Sequence, residues 1–320
     1  MKQIANWWTE VWLSRIDPLP VGIFRISLGL LLLLMLIALC PSWEQFYGPE
    51  GMLSLSRPES ASLQGGWSVF AWVGRAVPVR LFWWIGLLAA AALTVGWQTR
   101  LATVLLYLLQ ASMVHRNPMV VNGEDLVFRM LLFYSCFAPL GAALSLDRWI
   151  RTRRLGWASA GAEPPRPLVW PVRLMQVNIA LIYVFSLPAK LADPSGEWVR
   201  GDGLYWSMMN NMWSLWPWKP LFYDDHLLLS RLMTYGTILA EGTFPLLVWF
   251  RKTRPYVLAG ITALHLGIAL VVANVTFFTL AMACAFWLFV PAETLRRLAR
   301  ALNMMGAQAA TRFGLSHSGA

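Results

Sequence analysis

Six ionisable side chains lie within or at the ends of long apolar stretches: Arg25, Asp125, Arg129, Lys190, Glu241 and His265. An ionisable group in hydrocarbon is costly unless it is paired, so each is a candidate functional position. Desolvation disfavours the ammonium form of a lysine, and a lysine so treated can act as a base near neutral pH. A histidine in the same setting can take up or release a proton. Every one of these residues also has a structural reading. Arg25 and Arg129 can snorkel or pair. Asp125 stands four residues before Arg129 and can pair with it on a helix face or cap the helix start. Glu241 can neutralise Arg25 or His265. His265 can be a hydrogen-bonded core residue, and Lys190 can anchor a helix end at the interface.

The elements that must position these groups follow from composition. Of 320 residues, 58% are hydrophobic and 13% are charged, against about 25% charged in an ordinary soluble domain. That excess of apolar surface cannot be hidden in a soluble core of this size. Spans of roughly 20 apolar residues cross the hydrocarbon layer as helices, because every backbone group there needs a partner. Run length gives about eight: 22–40, 81–97, 101–115, 126–143, 172–190, 232–250, 256–273 and 275–291. The fold class expected is all-α, a polytopic helical membrane protein. The first run has no small-residue cleavage pattern after it and reads as an uncut span. Ahead of it, Trp7, Trp8, Val11 and Trp12 with Lys2 and Arg15 suit a helix lying in the interface. The chain divides into a transmembrane domain, 1–295, that includes this helix, and a short basic cytoplasmic tail, 296–320.

The formal charge is +10. The arginines stand in short loops between apolar runs, which points to positive-inside topology and away from nucleic acid. With the amino terminus inside, the clusters Arg148, Arg151, Arg153, Arg154, Arg166 and Arg251, Lys252, Arg254 and Arg296, Arg297, Arg300 all fall on the inner side. Both termini are then cytoplasmic, and a bacterial inner membrane is the expected location. Outer segments 41–80 and 191–231 are rich in tryptophan, the second with Trp198, Trp206, Trp213, Trp216 and Trp218. Residues 155–170 read as a flexible inner linker. Cys40, Cys136 and Cys284 form no CxxC pair, and no metal cluster or disulfide framework is visible.

Ordered blocks along most of the chain resemble the HTTM family, the horizontally transferred transmembrane domain. They comprise Phe24 and Arg25 with Gly29; Tyr47 and Gly51; His115, Arg116, Asn117 and Pro118; Asn122, Gly123, Asp125 and Arg129. Pro139, Leu140, Gly141, Ser145, Leu146 and Asp147 follow, then Gln176, Tyr183, Lys190, Leu191, Trp198 and Gly201, and last Glu241, Pro245, His265, Leu266 and Gly267. The family includes the membrane part of vitamin K-dependent gamma-glutamyl carboxylase. The resemblance implies a possible base at Lys190, with His265 and Glu241 as further catalytic candidates. It also implies a polar binding set of Arg25, Arg116, Asn117, Asn122, Asp125, Arg129, Tyr183, Trp198 and Gly201. The carboxylase carries a histidine after the asparagine where this chain has Gly123 after Asn122, and about thirty residues follow the last apolar run here. Both departures speak against glutamate carboxylation itself.

The expected function is therefore binding of a lipophilic small molecule, a quinone or other lipid, in an outward-facing intramembrane cavity near Lys190, with proton-coupled chemistry on it. A membrane scaffold that docks a membrane or extracytoplasmic protein through its tryptophan-rich outer loops is the alternative. A transporter is a second alternative, and the chain shows neither repeated halves nor a matched pair of broken helices to support it.

Overall fold

A computed structural model describes residues 2–54, 67–70, 77–156, 166–210 and 227–312. Among them all regular structure is helical, apart from one isolated antiparallel bridge between Arg15 and Leu168. The helices are α1 (Lys2–Leu13), α2 (Leu19–Leu39), α3 (Trp43–Tyr47), α4 (Val79–Val95), α5 (Thr99–Arg116), α6 (Gly123–Ser135) and α7 (Leu146–Arg154). There follow α8 (Trp170–Leu191), α9 (Glu197–Arg200), α10 (Gly203–Met209), α11 (Leu227–Leu247), α12 (Arg254–Val271), α13 (Thr276–Phe286) and α14 (Ala292–Arg312). Each apolar run of the sequence holds one of the longer helices.

Three stretches are long and apolar enough to cross a membrane: Leu19–Tyr47, Trp170–Leu191 and Arg254–Val271. The bent pair formed by Thr276–Phe289 and Ala292–Met304, with 102° between its arms, makes a fourth if counted as one span. The chain is thus an all-α, multi-pass membrane protein. Two of the eight expected runs are not continuous helices. The run 126–143 is helical for only 13 residues, Gly123–Ser135, about 20 Å at 1.5 Å per residue. It then turns through 136–139 into a 3-10 segment at Leu140–Ala142. Pro139 explains the stop, since proline disfavours helix at the residue before it and lacks a donor of its own. The run 275–291 holds an α-helix of 11 residues and a 3-10 turn, Trp287–Phe289, before the bend. Counting apolar residues registers neither break.

The helices pack as a continuous bundle. α2 lies against α4, α4 against α5, and α5 against α6; α8 meets α6 and α11, and α11 meets α12. The short α13 touches α2, α6 and α12, and buries Thr279, Ala281, Met282, Ala285 and Phe286. At Gly29 the approach of α2 to α4 is closest, because a Cβ there would lie 2.8 Å from the Thr94 nitrogen and 3.0 Å from its Cα.

Arg25 holds this contact together. It is fully buried, and Nη1 donates to the carbonyls of Leu93 at 2.8 Å and Thr94 at 3.1 Å, while Nη2 donates to Leu144. The last-turn carbonyls of a helix have no partners within it, and α4 finds them in this guanidinium. The helix closes at Gly96, whose φ of +79° a side chain would strain. One turn on, Asp147 caps α5, accepting from the amides of Gln98 at 2.8 Å and Thr99 at 2.9 Å and from the Thr99 hydroxyl at 2.8 Å. At the other end of α5, Arg116 Nη2 donates to Gly48 at 2.6 Å and Leu53 at 2.7 Å, and Asn117 Nδ2 to Phe46 at 3.0 Å. These bonds fasten the segment after α3 to the bundle.

α1 is an amphipathic helix that meets α8 and leaves Trp7 and Trp8 exposed. The basic carboxyl-terminal segment is helical through Arg312, as part of α14. Trp72, Trp213, Trp216, Trp218 and residues 157–165 of the expected linker lie outside the described residues.

Two substitutions test this frame. Gly29→Val should force α2 from α4 and lower the folded yield in detergent gel filtration. Arg25→Leu leaves buried carbonyls without donors and should lower stability by roughly 3 kcal/mol, read as an earlier thermal unfolding transition. An unchanged transition in Arg25→Leu would mean that the carbonyl clamp is not a stabilising element.

Candidate functional site

Along α8, Tyr183, Ser186 and Lys190 stand at i, i+3 and i+7, so one face carries all three. α11 faces them with Glu241 and Phe244, and α12 with Ile261 and His265. Lys190 Nζ lies 2.5 Å from Glu241 Oε1 and 2.7 Å from Oε2. Ser186 Oγ donates to Oε2 at 3.0 Å, so the carboxylate is held by two side chains of one helix. The side chain of Glu241 is 9% exposed and that of Lys190 is 23% exposed. The pair is therefore buried at its acidic end and open at its basic end. Trp198 closes the open side, its ring centroid 4.7 Å from Lys190 Nζ in a cation–π contact.

Two turns deeper on α8, Tyr183 Oη and His265 Nε2 are 2.7 Å apart. Phe244 packs on Tyr183, and Phe278 and Phe286 pack on His265. Nδ1 of His265 is buried with no partner among the described residues. The site thus has two polar levels about 10 Å apart along α8, by the helical rise. The outer level is an ion pair under an indole, and the inner one is a phenol–imidazole pair in an aromatic cage.

α9 and α10 set the Trp198 lid. Gly201 closes α9 at a φ of +85°, and a Cβ there would come within 2.9 Å of Tyr235. Gly203 lets α10 press against the indole, since a Cβ would lie 2.7 Å from Trp198. The next residue, Leu204, is anchored by its amide to Thr234 Oγ1 at 3.1 Å. It lines one end of a groove of about 560 Å³ between α11 and α12. Ala240, Gly260, Ile261, Leu264, Gly267 and Gly236 are among the residues that line the rest. At Gly236, Gly260 and Gly267 a side chain would meet open space. The volume lies in the range of small-molecule sites, and the wall is almost wholly apolar.

The structure brings together Tyr183, Lys190, Trp198, Gly201, Glu241 and His265 of the expected set. The remaining residues are elsewhere. Arg25 clamps α4, and Arg116 and Asn117 hold the segment after α3. Asn122 and Asp125 form the amino-terminal cap of α6: the Asn122 amide donates to Asp125 Oδ2 at 2.9 Å, and Gln110 Nε2 donates to Oδ1 at 2.8 Å. That capping is the outcome for Asp125; Arg129 instead points its Nη1 at His115 Nε2, 3.5 Å away. Glu241 pairs with neither Arg25 nor His265, because its carboxylate is already engaged by Lys190 and Ser186. Lys190 is accordingly more than a bare interface anchor. Ser186, Gly236 and Gly260 went unnoticed in the sequence. Helical spacing from Lys190 would have pointed to Ser186, and the seven-residue interval between Gly260 and Gly267 to an open face on α12. Among the described residues no group of side chains is arranged to hold a metal ion.

Comparison of the chain with family models, with curated proteins and with solved structures gives no match.

Breaking a buried pair from one side leaves the other charge uncompensated, at about 3–5 kcal/mol for a fully buried case. Lys190→Met should therefore destabilise more than Glu241→Gln, since it leaves the buried carboxylate with Ser186 alone, whereas an ammonium freed of Glu241 sits at the open side under the Trp198 ring. In a double-mutant cycle the two changes should be non-additive by more than about 1 kcal/mol. Additivity within a few tenths would mean that the two groups do not stabilise one another.

Proposed function

We propose that this protein is an HTTM-like multi-pass membrane protein that binds a lipophilic small molecule, with its polar head at Lys190 and Glu241 and its apolar body in the groove between α11 and α12. In this reading the chain passes the membrane about eight times, the shorter α6 and α13 being sheltered by their neighbours, with both termini cytoplasmic. The observation that carries the reading is that α11 carries both Glu241 of the ion pair and, from its neighbour Ala240, one wall of an apolar groove shared with α12. A soluble metabolite would find few polar partners along the groove, and a bulk phospholipid tail needs no ion pair. A quinone or similar ring with an isoprenoid chain satisfies both parts. Its carbonyl or hydroxyl oxygens would meet Lys190 and Glu241, and its ring would lie near Trp198.

Proton-coupled chemistry on such a head would use the same residues. Lys190 is the base of this reading once a bound head group separates it from Glu241, and Glu241 would hold the proton that Lys190 gives up. Tyr183 and His265 lie one level deeper, where the unpartnered His265 Nδ1 offers an acceptor or donor to a ligand atom. Glutamate carboxylation is not part of the reading, since Gly123 follows Asn122 where the carboxylase carries a histidine.

The test is to purify the protein in mild detergent, extract the bound lipids and identify them by mass spectrometry. Wild type, Lys190→Ala and a Gly236→Leu/Gly260→Leu double variant should be compared. Both glycines face open space, so leucines fill the groove without crowding the fold. A quinone-like molecule present in wild type and depleted in both variants is the expected result. An identical bulk-phospholipid profile in all three would overturn the proposal.

A further inference from the structure

On the side of the bundle away from Lys190, a cavity of about 250 Å³ is lined by four arginines, Arg148, Arg151, Arg166 and Arg296, and one carboxylate, Asp17. The lining comes from five separate places in the chain: the turn before α2, the backbone around Ala143, helix α7, the segment leading into α8, and α14. This is unlike a solvated charged helix face, whose cations spread along one element. Backbone bonds fix the arrangement. Ile16 donates to Pro167 at 2.9 Å and Val169 to Ser14 at 2.9 Å, which carries Arg166 to the mouth of α2. Arg148 Nη1 donates to Ala142 at 3.0 Å, and Arg296 forms an ion pair with Asp17.

Only one of the four guanidinium groups is thus neutralised by a carboxylate. The side chains of Arg151 and Arg166 have no hydrogen-bond or ion-pair partner among the described residues. Like charges gathered around one cavity repel unless an anion joins them. Guanidinium groups match phosphate oxygens in planar, two-bond geometry. Beside the cavity the surface is apolar: Leu144, itself in the lining, is 53% exposed, and Leu146 and Trp149 of α7 are exposed as well. Arg153 stacks on Trp149 at 4.6 Å, a cation–aromatic arrangement suited to headgroup depth. Helix α14, bent 102° from α13, and amphipathic α1 complete a platform on the same side.

We infer that this cavity binds a phosphate ester, the headgroup of an anionic phospholipid of the inner leaflet, with its acyl chains laid over Leu144, Leu146 and Trp149. The exposed apolar rim favours a lipid over free phosphate, and basic pockets at helix ends on the inner side are suited to anionic headgroups. The cavity is separate from the Lys190 groove, so either site can fail without the other.

The full-length protein in a neutral detergent should be titrated with phosphatidylglycerol, phosphatidylcholine or inorganic phosphate and followed by native mass spectrometry. Three proteins are compared: wild type, Arg151→Gln/Arg166→Gln, and Arg297→Gln/Arg300→Gln as a control that removes the same charge outside the cavity. Because neither Arg151 nor Arg166 carries a hydrogen bond through its side chain, the first variant should keep the wild-type gel-filtration profile. Phosphatidylglycerol should be retained in preference to phosphatidylcholine, and its binding should weaken roughly thirtyfold in Arg151→Gln/Arg166→Gln but little in the control. Retention of inorganic phosphate with the same arginine dependence, and no preference between the lipids, would assign the site to free phosphate. Binding of neither probe, or equal losses in both variants, overturns the inference.

Discussion

Every backbone N–H and C=O inside hydrocarbon must find a partner within the protein, and the architecture of this chain follows from that requirement. Helices satisfy it along their length but leave open groups at their ends. Where α4 stops at Gly96, Arg25 reaches across from α2 to take its carbonyls. Where α5 begins, the Asp147 carboxylate covers two amides and a hydroxyl. Where α6 begins, Asp125 does the same with the Asn122 amide and is itself held by Gln110. Charged residues that look out of place in an apolar chain are, at these positions, what allows helices to end at different depths. The short α6 and α13 are possible because neighbours surround them; neither could stand in lipid alone.

Against this frame of closed ends, the α8–α11–α12 sector differs in the kind of contact it makes. Its polar groups face one another rather than backbone. Lys190, Glu241 and Ser186 form one set, Tyr183 and His265 another, and each lies next to aromatic or aliphatic surface. α11 and α12 are also the helices with unfilled glycines at their interface. Small residues in membrane helices ordinarily allow close backbone approach. Gly29 does so against Thr94, whereas Gly236, Gly260 and Gly267 leave a groove. The same residue type serves contact in one half of the bundle and vacancy in the other.

Composition and apolar run length were enough to read the helical class and the position of each long helix, because membrane burial imposes a strong, one-dimensional pattern. They overcounted the straight spans, since a run of apolar letters does not register the stop at Pro139 or the bend at Pro291. Among the polar residues, the sequence identified which were unusual without resolving their partners. Asp125 and Arg129 have the spacing of an ion pair, yet Asp125 caps its helix, because an amide at a helix start is nearer than a long side chain one turn on. Glu241 found Lys190 over a separation of 51 residues, which no local spacing encodes. The resemblance drew Tyr183, Lys190, Trp198, Gly201, Glu241 and His265 into one list, and they share one region. It drew Arg25, Arg116 and Asn117 into the same list, and these lie at helix ends elsewhere.

The distinction that separates the two groups is what each partner would lose on release. Arg25 cannot leave Leu93, Thr94 and Leu144 without opening the end of α4 inside the bundle, so its bonds are part of the fold and cannot be exchanged for a ligand. Lys190 can leave Glu241 if a ligand oxygen replaces the carboxylate, because no helix end depends on the pair and Trp198 remains to receive the ammonium. Nδ1 of His265 and the guanidinium groups of Arg151 and Arg166 stand further along the same scale, with nothing among the described residues to give up. Function in a membrane bundle belongs where side chains hold side chains or hold nothing, since only there can a bound molecule substitute for what the protein already has. By that criterion the outer ion pair with its groove and the inner arginine cavity are where we propose that ligands bind, and the buried arginines at helix ends hold the scaffold.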